Sequence, residues 1–420
     1  MSRTIAEKIL SAKSGLDAKA GDLVLAELDL MMGHDFNAAM TFQVLEEMGA
    51  TVAAKPERTI IVFDHSVPAP NESYARLHQK VEAAAKRFGV RVYPPCEGIC
   101  HHLLPERGHV RPGDLIIASD SHTCTYGALG AFATGVGSTD LAVGIMTGKL
   151  WFKVPKSIRI HYSGQLPPAV SAKDLALFTI GRLGADGANY LSVEYSGEAI
   201  DRLSMDGRLT LCNMSIEMGA KAGLIEPDQK TLDWLAGRVN ISQAPARADE
   251  GAAYERILDF DVSELRPQIA RPHEVDNVCD IDELLGLPIQ SAFIGACTNG
   301  RMEDLRVAAG ILAGKRVHPD VRLYIIPASR RIWLQAAREG LISVLLEAGA
   351  ILEASSCGPC AGICGGVPGD GQTMLTTANR NFKGRAGNSK SDIYLASPAV
   401  VAASAIHGQV THPGRYLIKA

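Results

Sequence analysis

The stretch Ser355-Ser356-Cys357-Gly358-Pro359-Cys360-Ala361-Gly362-Ile363-Cys364-Gly365-Gly366 places two cysteines three positions apart in a loop rich in glycine. Small side chains and permissive backbone angles let sulfur atoms and backbone N–H groups close around an inorganic centre. Upstream, Cys297 follows the apolar run 291–294, which is typical of a buried strand. We predict a 4Fe–4S cluster, one per chain, held by Cys297, Cys357 and Cys360, with one iron left without a protein ligand.

The same spacing is compatible with other chemistry. A Cys-x-x-Cys pair also occurs as a redox dithiol or as half of a zinc site, and two buried thiols need no function. Cys364 adds an alternative, because four thiolates would close the cluster and suit it to electron transfer. The spacing by itself leaves these interpretations open.

The composition is that of a globular α/β protein. The 420-residue chain is 46% hydrophobic, 21% charged and only 5% aromatic, which favours close packing of helices on sheets. Its net charge of −4 argues against nucleic acid and anionic membranes as partners. The chain has nine cysteines but neither a signal peptide nor an apolar span of about 18 residues. This combination predicts a reducing, cytoplasmic location.

Strand-like and helix-like segments alternate along most of the chain. Apolar runs such as 60–63 and 115–118 predict buried strands of a parallel sheet. Changes of pattern near Pro155 and from 240 to 285, a polar and linker-like region, predict domain boundaries. The three predicted α/β domains are 1–154, 155–285 (including the linker) and 286–420.

Polar side chains follow several of the predicted strands. Ligands of open α/β sheets bind at the carboxyl ends of the strands, and an aspartate beside a histidine orients the imidazole and raises its basicity. Each histidine alone is better explained as a helix cap or a buried core histidine than as a catalytic residue, but the group as a whole favours catalysis. The candidates are Asp64, His65, His101, Asp120, Ser121, His122 and Glu194.

A second group of candidates follows the cysteines. Arg380 and Arg385 lie in the segment 379–387, which is rich in asparagine and glycine. Guanidinium groups bind carboxylates through two parallel hydrogen bonds, so an anionic substrate is one interpretation. A solvated surface loop is the other.

Together these segments resemble the aconitase superfamily over nearly the whole chain. So many motifs in one order are more specific than any single motif, and they favour the iron–sulfur interpretation. The resemblance is densest in Phe63-Asp64-His65, Glu97-Gly98-Ile99-Cys100-His101, Ser119-Asp120-Ser121-His122-Thr123, Val193-Glu194-Tyr195, Ala296-Cys297-Thr298-Asn299, Cys357-Gly358-Pro359-Cys360 and Asn379-Arg380-Asn381-Phe382-Lys383-Gly384-Arg385.

The resemblance implies a fold and a partner. It implies three α/β/α domains around a central cluster, without the swivelling fourth domain of aconitase. Segments 203–206 and 212–223 resemble the branch in which a separate small subunit carries that domain. We therefore expect a small swivel-domain subunit, in a heterodimer or heterotetramer, and neither nucleic acid nor membrane as partner.

The resemblance also implies an activity. Members are hydro-lyases that isomerise a hydroxy di- or tricarboxylate by dehydration and rehydration. The first expected reaction is the conversion of 2-isopropylmalate to 3-isopropylmalate, of leucine biosynthesis, and the reactions of homoaconitase or 2,3-dimethylmalate dehydratase are the alternatives. An iron-responsive RNA-binding protein is the alternative from another class, and the acidic net charge argues against it.

Roles carry over from the family to matching positions. The three cysteines match the cluster thiolates, and His101 matches the residue that helps protonate the departing hydroxyl. Glu194 matches a carboxylate that hydrogen-bonds the iron-bound water. The resemblance also implies paired acid–base groups around His101, which are Asp64, His65, Asp120 and His122. It implies that the substrate is contacted by His34, Ser121, Arg380 and Arg385.

Two positions stand apart from this transfer. Cys364 lies where the family pattern has no ligand, so we expect it to be a bystander thiol. The base that removes the carbon-bound proton is, in this family, a serine of the swivel domain, and no residue of this chain is assigned to it.

Overall fold

The computed structural model describes residues 2–241 and 244–417. Residues 242 and 243, in the predicted linker, and 418–420, at the end of the third predicted domain, lie outside the described residues. The helices are α1 (Ile5–Ser14), α2 (Asp35–Glu47), α3 (Glu72–Phe88), α4 (Cys100–Glu106), α5 (Ser138–Thr147), α6 (Ala172–Leu183), α7 (Glu198–Arg202), α8 (Met205–Asn213), α9 (Gln229–Leu235), α10 (Met302–Leu312), α11 (Arg330–Arg338), α12 (Leu341–Glu347), α13 (Pro398–His407) and α14 (Gly414–Leu417). The strands are β1 (Leu23–Glu27), β2 (Leu30–His34), β3 (Thr59–Val62), β4 (Arg91–Tyr93), β5 (Leu115–Ala118), β6 (Phe132–Gly135), β7 (Lys149–Lys153), β8 (Ser157–Ser163), β9 (Ser192–Ser196), β10 (Ala222–Ile225), β11 (Arg256–Asp261), β12 (Gln268–Ala270), β13 (Val278–Asp280), β14 (Ser291–Ile294), β15 (Arg322–Ile325), β16 (Ile351–Leu352), β17 (Thr373–Thr376) and β18 (Asp392–Leu395).

The first sheet consists of five parallel strands in the order β4-β3-β2-β5-β6. Its central strands are buried along their whole length, as continuous apolar runs predict for a sheet covered on both faces. Successive side chains point to opposite faces. Met31 and Ile61 join the core formed with α2, α3 and α5, whereas Met32 and Ile60 join the core formed with α4.

β1 and β7 form a separate two-stranded antiparallel sheet, and two larger sheets follow in chain order. The second has four parallel strands in the order β10-β9-β8-β11. The third has the order β13-β12-β18-β17-β14-β15-β16, with β12 and β13 antiparallel at one edge. The α/β prediction is confirmed, and the domain boundaries stay a prediction. Across the described residues we find no helix with the length and apolar character needed to cross a bilayer.

The region 240–285 differs from the linker interpretation and requires a correction. β11 is an edge strand of the second sheet, and β12 and β13 extend the third sheet. β11 alternates exposed and half-buried residues, so its apolar signal is weak. Backbone hydrogen bonds to β8, which leave no mark in the composition, define this strand.

A set of contacts joins the first sheet to the third beside α4. The backbone N–H of Ile99 donates to the carbonyl of Ala328 over 2.9 Å, and that of Arg330 donates to the carbonyl of Glu97 over 2.9 Å. The buried carboxylate of Glu106 accepts from Ser329 Oγ over 2.8 Å. Because α4 begins with Cys100-His101, these contacts fix where His101 lies relative to the third sheet.

Candidate active site

Side chains from the first and third sheets meet around one cavity of about 390 Å³. They follow the strands β2, β3, β5, β14, β16 and β17, and carboxyl ends of parallel strands share one sheet edge. The predicted residues that line the cavity are His34, His65, His101, Asp120, Ser121, His122, Cys297, Cys357, Cys360, Arg380 and Arg385. Asp64 supports His65 from behind, and Glu194 lies elsewhere, as described below.

The three predicted cysteines converge on this cavity. Cys297, Cys357 and Cys360 are each no more than 7% exposed. The side-chain amide of Asn213 donates to Cys297 Sγ over 3.2 Å, and that of Asn379 donates to the same sulfur over 3.4 Å. N–H donors around sulfur are typical of metal-bound thiolates, whose charge they stabilise.

The protonation of these thiols depends on what binds them. Burial raises the pKa of Cys297 to about 12 and that of Cys357 well above its ordinary value. Buried thiols of this kind stay protonated at neutral pH unless a cation replaces the proton. Three converging thiols supported by amide donors therefore fit an iron–sulfur centre.

The backbone of the cysteine loop is held by close packing. Gly358 has a left-handed φ of +56°, and a Cβ there would lie 2.4 Å from Ile326 Cδ1, so only glycine fits this turn. The N–H of Cys357 donates to the carbonyl of Asp64 over 2.8 Å. This bond ties the loop of the third sheet to the Asp64-His65 segment of the first.

Cys364 lies apart from the other cysteines of the loop. Its thiol contacts the carbonyl oxygens of His65 and Val67 at 3.6 and 3.7 Å. Burial raises its pKa to about 11. It is absent from the described residues that line the cavity. These contacts support its prediction as a bystander.

Asp120 is the centre of a histidine network. Its Oδ1 lies 2.7 Å from His101 Nε2 and accepts the backbone N–H of His122 over 2.7 Å. Its Oδ2 lies 3.3 Å from His65 Nε2. Burial alone would raise the pKa of Asp120, but the charge of His101 and the contacts to the histidines hold it well below its ordinary value. Asp120 is therefore a carboxylate that orients neighbouring imidazoles.

Asp64 and Asp35 shape the loop behind His65. Asp64 Oδ1 lies 2.7 Å from His65 Nδ1, and its Oδ2 accepts the N–H of Cys100 over 2.7 Å. The carboxylate of Asp35 accepts the backbone N–H groups of Asp64, His65 and Ser66 over 2.8–3.0 Å. Possible ligand atoms of His34, Asp35, Asp64 and His65 also lie within 4.8 Å of one another. Through these bonds the two carboxylates orient the loop that carries His65.

Glu194 does not belong to this cavity, and its prediction as a site residue is wrong. It lies in β9 of the second sheet. Its Oε1 accepts the N–H of Ile5 over 2.8 Å, and its Oε2 accepts the hydroxyl of Tyr254 over 2.6 Å. Both oxygens are therefore used to anchor the start of α1 to the second sheet. The sequence pattern does not indicate whether the side chains of this strand lie beside the cavity or beside α1.

Glu217 is the carboxylate at the histidine network that the motif analysis missed. It lies in the 3₁₀ segment Met214–Met218 after α8, and its Oε1 is 2.8 Å from His122 Nε2. Arg380 Nε donates to both of its oxygens over 2.8 and 3.0 Å. Burial opposes ionisation, but His122 and Arg380 lower the pKa of Glu217. The available signal was a single acid within the otherwise apolar and neutral run 214–218.

The model of the aconitase family (aconitate hydratase) matches residues 7–288 and 282–408 of this chain. The chain belongs to the aconitase family. This membership confirms the resemblance inferred from the motifs.

Members of the family with known names match over their full length. The chain is 50% identical to the 3-isopropylmalate dehydratase large subunit 1 of Methanopyrus kandleri, covering 99% of this chain and 100% of that one. It is 48% identical to the 3-isopropylmalate dehydratase large subunit of Moorella thermoacetica, covering 98% and 99%. It is 46% identical to that of Aquifex aeolicus, covering 98% and 97%.

A solved structure supports the fold. The crystal structure of Thermococcus kodakaraensis aconitase X in its holo-form matches with a TM-score of 0.50 at 12% identity, covering 89% of this chain and 88% of that one. Similarity at this level concerns the fold alone. The aconitase-like α/β fold is confirmed.

Two arginines of this aconitase-family cavity differ in what they bind. Arg380 is engaged with Glu217. Arg385 forms no ion pair with a carboxylate among the described residues, and its Nη2 lies 3.8 Å from Cys360 Sγ. Its buried Nε has no hydrogen-bond partner within the described residues. A half-buried guanidinium with an unpaired donor is suited to an incoming carboxylate.

We expect Glu217→Gln to lower kcat about 10–100-fold, the usual effect of losing a carboxylate that orients a site histidine. The amide carries no charge to pair with Arg380, and it would place an NH₂ donor where Oε2 now accepts from Arg380 Nε. The measurement is kcat, KM and the pH dependence of kcat in the reconstituted enzyme. Glu217→Asp, which keeps the charge, should restore part of the activity.

Glu194→Gln is the matched control for this substitution. Both carboxylates are buried, but among the described residues the oxygens of Glu194 accept hydrogen bonds from Ile5 and Tyr254 and from no residue of the cavity. Its pH profile should match that of the wild type. A larger loss of kcat in Glu194→Gln than in Glu217→Gln would return the assignment to Glu194.

Proposed function

We propose that this chain is the large, catalytic subunit of a hydro-lyase that interconverts 2-isopropylmalate and 3-isopropylmalate in leucine biosynthesis. The reaction removes water from one carbon and adds it back at the neighbouring carbon. The observation that carries the proposal is the full-length match to chains named 3-isopropylmalate dehydratase large subunit.

The thiols of the cavity support a resident 4Fe–4S cluster. Cys297, Cys357 and Cys360 would hold it, one cluster per chain, with one iron free of protein ligands. Such a cluster would supply a Lewis-acidic iron that makes the substrate hydroxyl a better leaving group. The amides of Asn213 and Asn379 stabilise the charge on Cys297 Sγ.

The residues around the cavity support acid–base catalysis on a dicarboxylate. His101 lines the cavity with its Nε2 2.7 Å from Asp120, and it would donate a proton to the departing hydroxyl. Asp64 orients His65, and Glu217 orients His122. Arg385 has donors free for a substrate carboxylate, and Ser121 and His34 line the same space.

The proposal includes a partner. Chains named large subunit work with a small subunit, and we infer a swivel-domain protein that closes the cavity in a heterodimer or heterotetramer. That subunit would supply the base that removes the carbon-bound proton. We propose a cytoplasmic location, since burial and the absence of disulfides among the nine cysteines, all in the described residues, suit a reducing compartment.

The proposed function is tested by anaerobic reconstitution of the chain with iron and sulfide and with the small subunit encoded beside it. Formation of the unsaturated acid is then followed with 2-isopropylmalate, homocitrate and 2,3-dimethylmalate in parallel. We expect turnover of 2-isopropylmalate to exceed that of the other two acids, and none without the cluster.

Each other outcome has a defined meaning. Preferred turnover of homocitrate or dimethylmalate would keep the reaction class and replace the substrate. A loaded enzyme that turns over none of the three acids would refute the hydro-lyase proposal. Salt-sensitive binding of RNA by the apo-protein would favour the alternative from another class.

A further inference from the structure

Lys173 is a buried cation without an anionic partner. It lies in the first turn of α6, and only 1% of it is exposed. Its Nζ donates to the carbonyls of Thr377 and Ala378 over 2.9 and 2.6 Å and lies 3.8 Å from Met214 Sδ. No carboxylate of the described residues forms an ion pair with it. A buried ammonium that has only neutral partners is unfavourable.

Its position in the helix makes the charge harder to explain. The first turn of an α-helix carries the positive end of the helix dipole, which disfavours a cation. The nearest acids are engaged elsewhere. The carboxylate of Asp174 accepts the N–H groups of Ser171 and Gln268 over 2.8 and 2.9 Å, and Glu217 is paired with Arg380. Burial lowers the pKa of Lys173 to about 8, so it remains mainly protonated at neutral pH.

The segment that Lys173 binds leads directly to the cysteines. Asn379 follows the two accepting carbonyls, and its side-chain amide donates to Cys297 Sγ over 3.4 Å. Cys360 Sγ lies 3.7 Å from Asn379 Oδ1. Residues 377–379 therefore separate the ammonium from two of the three sulfur atoms by one layer of backbone. If these sulfurs are thiolates, they supply the negative charge that Lys173 otherwise lacks as a partner.

We propose that Lys173 is the buried counter-cation of the thiolate-bound cluster and that its charge sets the redox potential of that cluster. This inference rests on the cluster proposed above. Three thiolates exceed the charge of a doubly positive 4Fe–4S core by one negative charge, and Lys173 adds a positive charge behind the sulfurs to that of Arg385, whose Nη2 lies 3.8 Å from Cys360 Sγ. Reduction adds another negative charge to the cluster, so a nearby cation favours the reduced form.

The inference is tested with two neutral variants. Lys173→Met removes the charge and the hydrogen bonds, whereas Lys173→Gln removes the charge and keeps a donor for a carbonyl. Lys221→Met is the control, because Lys221 belongs to the same predicted domain and packs 5.6 Å from the centroid of the Tyr190 ring. Iron and sulfide content is measured first, and the one-electron midpoint potential of each reconstituted protein follows.

We expect both Lys173 variants to disfavour cluster reduction about tenfold, which is a shift of ~59 mV to more negative potential for a one-electron couple. Lys221→Met should keep the wild-type potential. A wild-type potential in Lys173→Gln would overturn the inference, because hydrogen bonding and not charge would then be the role of Lys173. A wild-type potential in both variants would overturn it as well.

A second readout separates electrostatics from general stability. The rise in Tm on loading the cluster should be smaller in both Lys173 variants than in the wild type. An equal loss of Tm in the apo and loaded proteins would show a purely structural role and contradict the proposal. A wild-type chain that binds neither iron nor sulfide would instead refute the proposed function, and this inference with it.

Discussion

Cys297→Ser is expected to abolish cluster binding, and Cys364→Ser is expected to leave it intact. Cys297 Sγ faces the cavity and receives two amide N–H groups, whereas the Cys364 thiol contacts two backbone carbonyls outside the cavity. A serine hydroxyl at position 297 is a poor replacement, because iron–sulfur centres select soft thiolates. The measurement is bound iron and sulfide per chain after anaerobic reconstitution, with the visible absorbance of the cluster.

The pair of variants also distinguishes the two kinds of cluster. A catalytic cluster with one iron free of protein ligands needs only positions 297, 357 and 360, so Cys364→Ser should also retain turnover. Loss of the cluster in Cys364→Ser would contradict the three-cysteine site and favour a fully ligated cluster for electron transfer. The Tm of the apo forms controls for unfolding, since both changes replace sulfur by oxygen at one position.

Asp120→Asn is expected to lower kcat about 10²–10⁴-fold while the cluster remains bound, the range typical of lost acid–base catalysis. The carboxylate contacts His101 and His65 and accepts the N–H of His122. An amide has only one acceptor oxygen, and its NH₂ group would place a hydrogen-bond donor where a carboxylate oxygen now faces an imidazole nitrogen. The measurement is kcat against pH, whose shape should change because several imidazoles lose their carboxylate together.

The control for this change is Asp370→Asn. Asp370 is an exposed carboxylate that contacts Lys390 and Asn388 on the surface, and its substitution should leave kcat and its pH dependence unaltered. If Asp120→Asn retained wild-type kcat with an unchanged pH profile, the histidine network would have no part in proton transfer. Iron content measured in the same preparations excludes cluster loss as the cause of low activity.

Much of the site was predictable from local sequence. The apolar runs at 60–63, 115–118 and 291–294 are each followed within a few residues by a side chain that lines the cavity, because a parallel strand places whatever follows it at the carboxyl edge of the sheet. The Asp-His pairs and the Cys-x-x-Cys loop are likewise local patterns.

Other features were not predictable, because they depend on contacts between distant segments. β11 forms by backbone hydrogen bonds to β8, about 100 residues earlier in the chain, and its side chains have little periodic signal. β12 pairs with the neighbouring β13, but its contact with the rest of the third sheet is to the distant β18. Glu194 and Glu217 are both acids in plausible motifs. Only their positions on different sheets and segments show that Glu217 reaches His122 and Glu194 does not.

The sequence by itself determined which chemical groups are present and which strand ends present them: thiols, Asp-His pairs and arginines after apolar runs. Only the tertiary structure decided which carboxylate completes the histidine network, that Cys364 points away, and that Lys173 lies buried behind Asn379. The physical reason is the separation along the chain between the residues that interact. Strand and turn formation follow from neighbours along the chain, whereas burial, hydrogen bonding and charge balance at the cavity arise where the first and third sheets meet each other and the segment Met214–Met218.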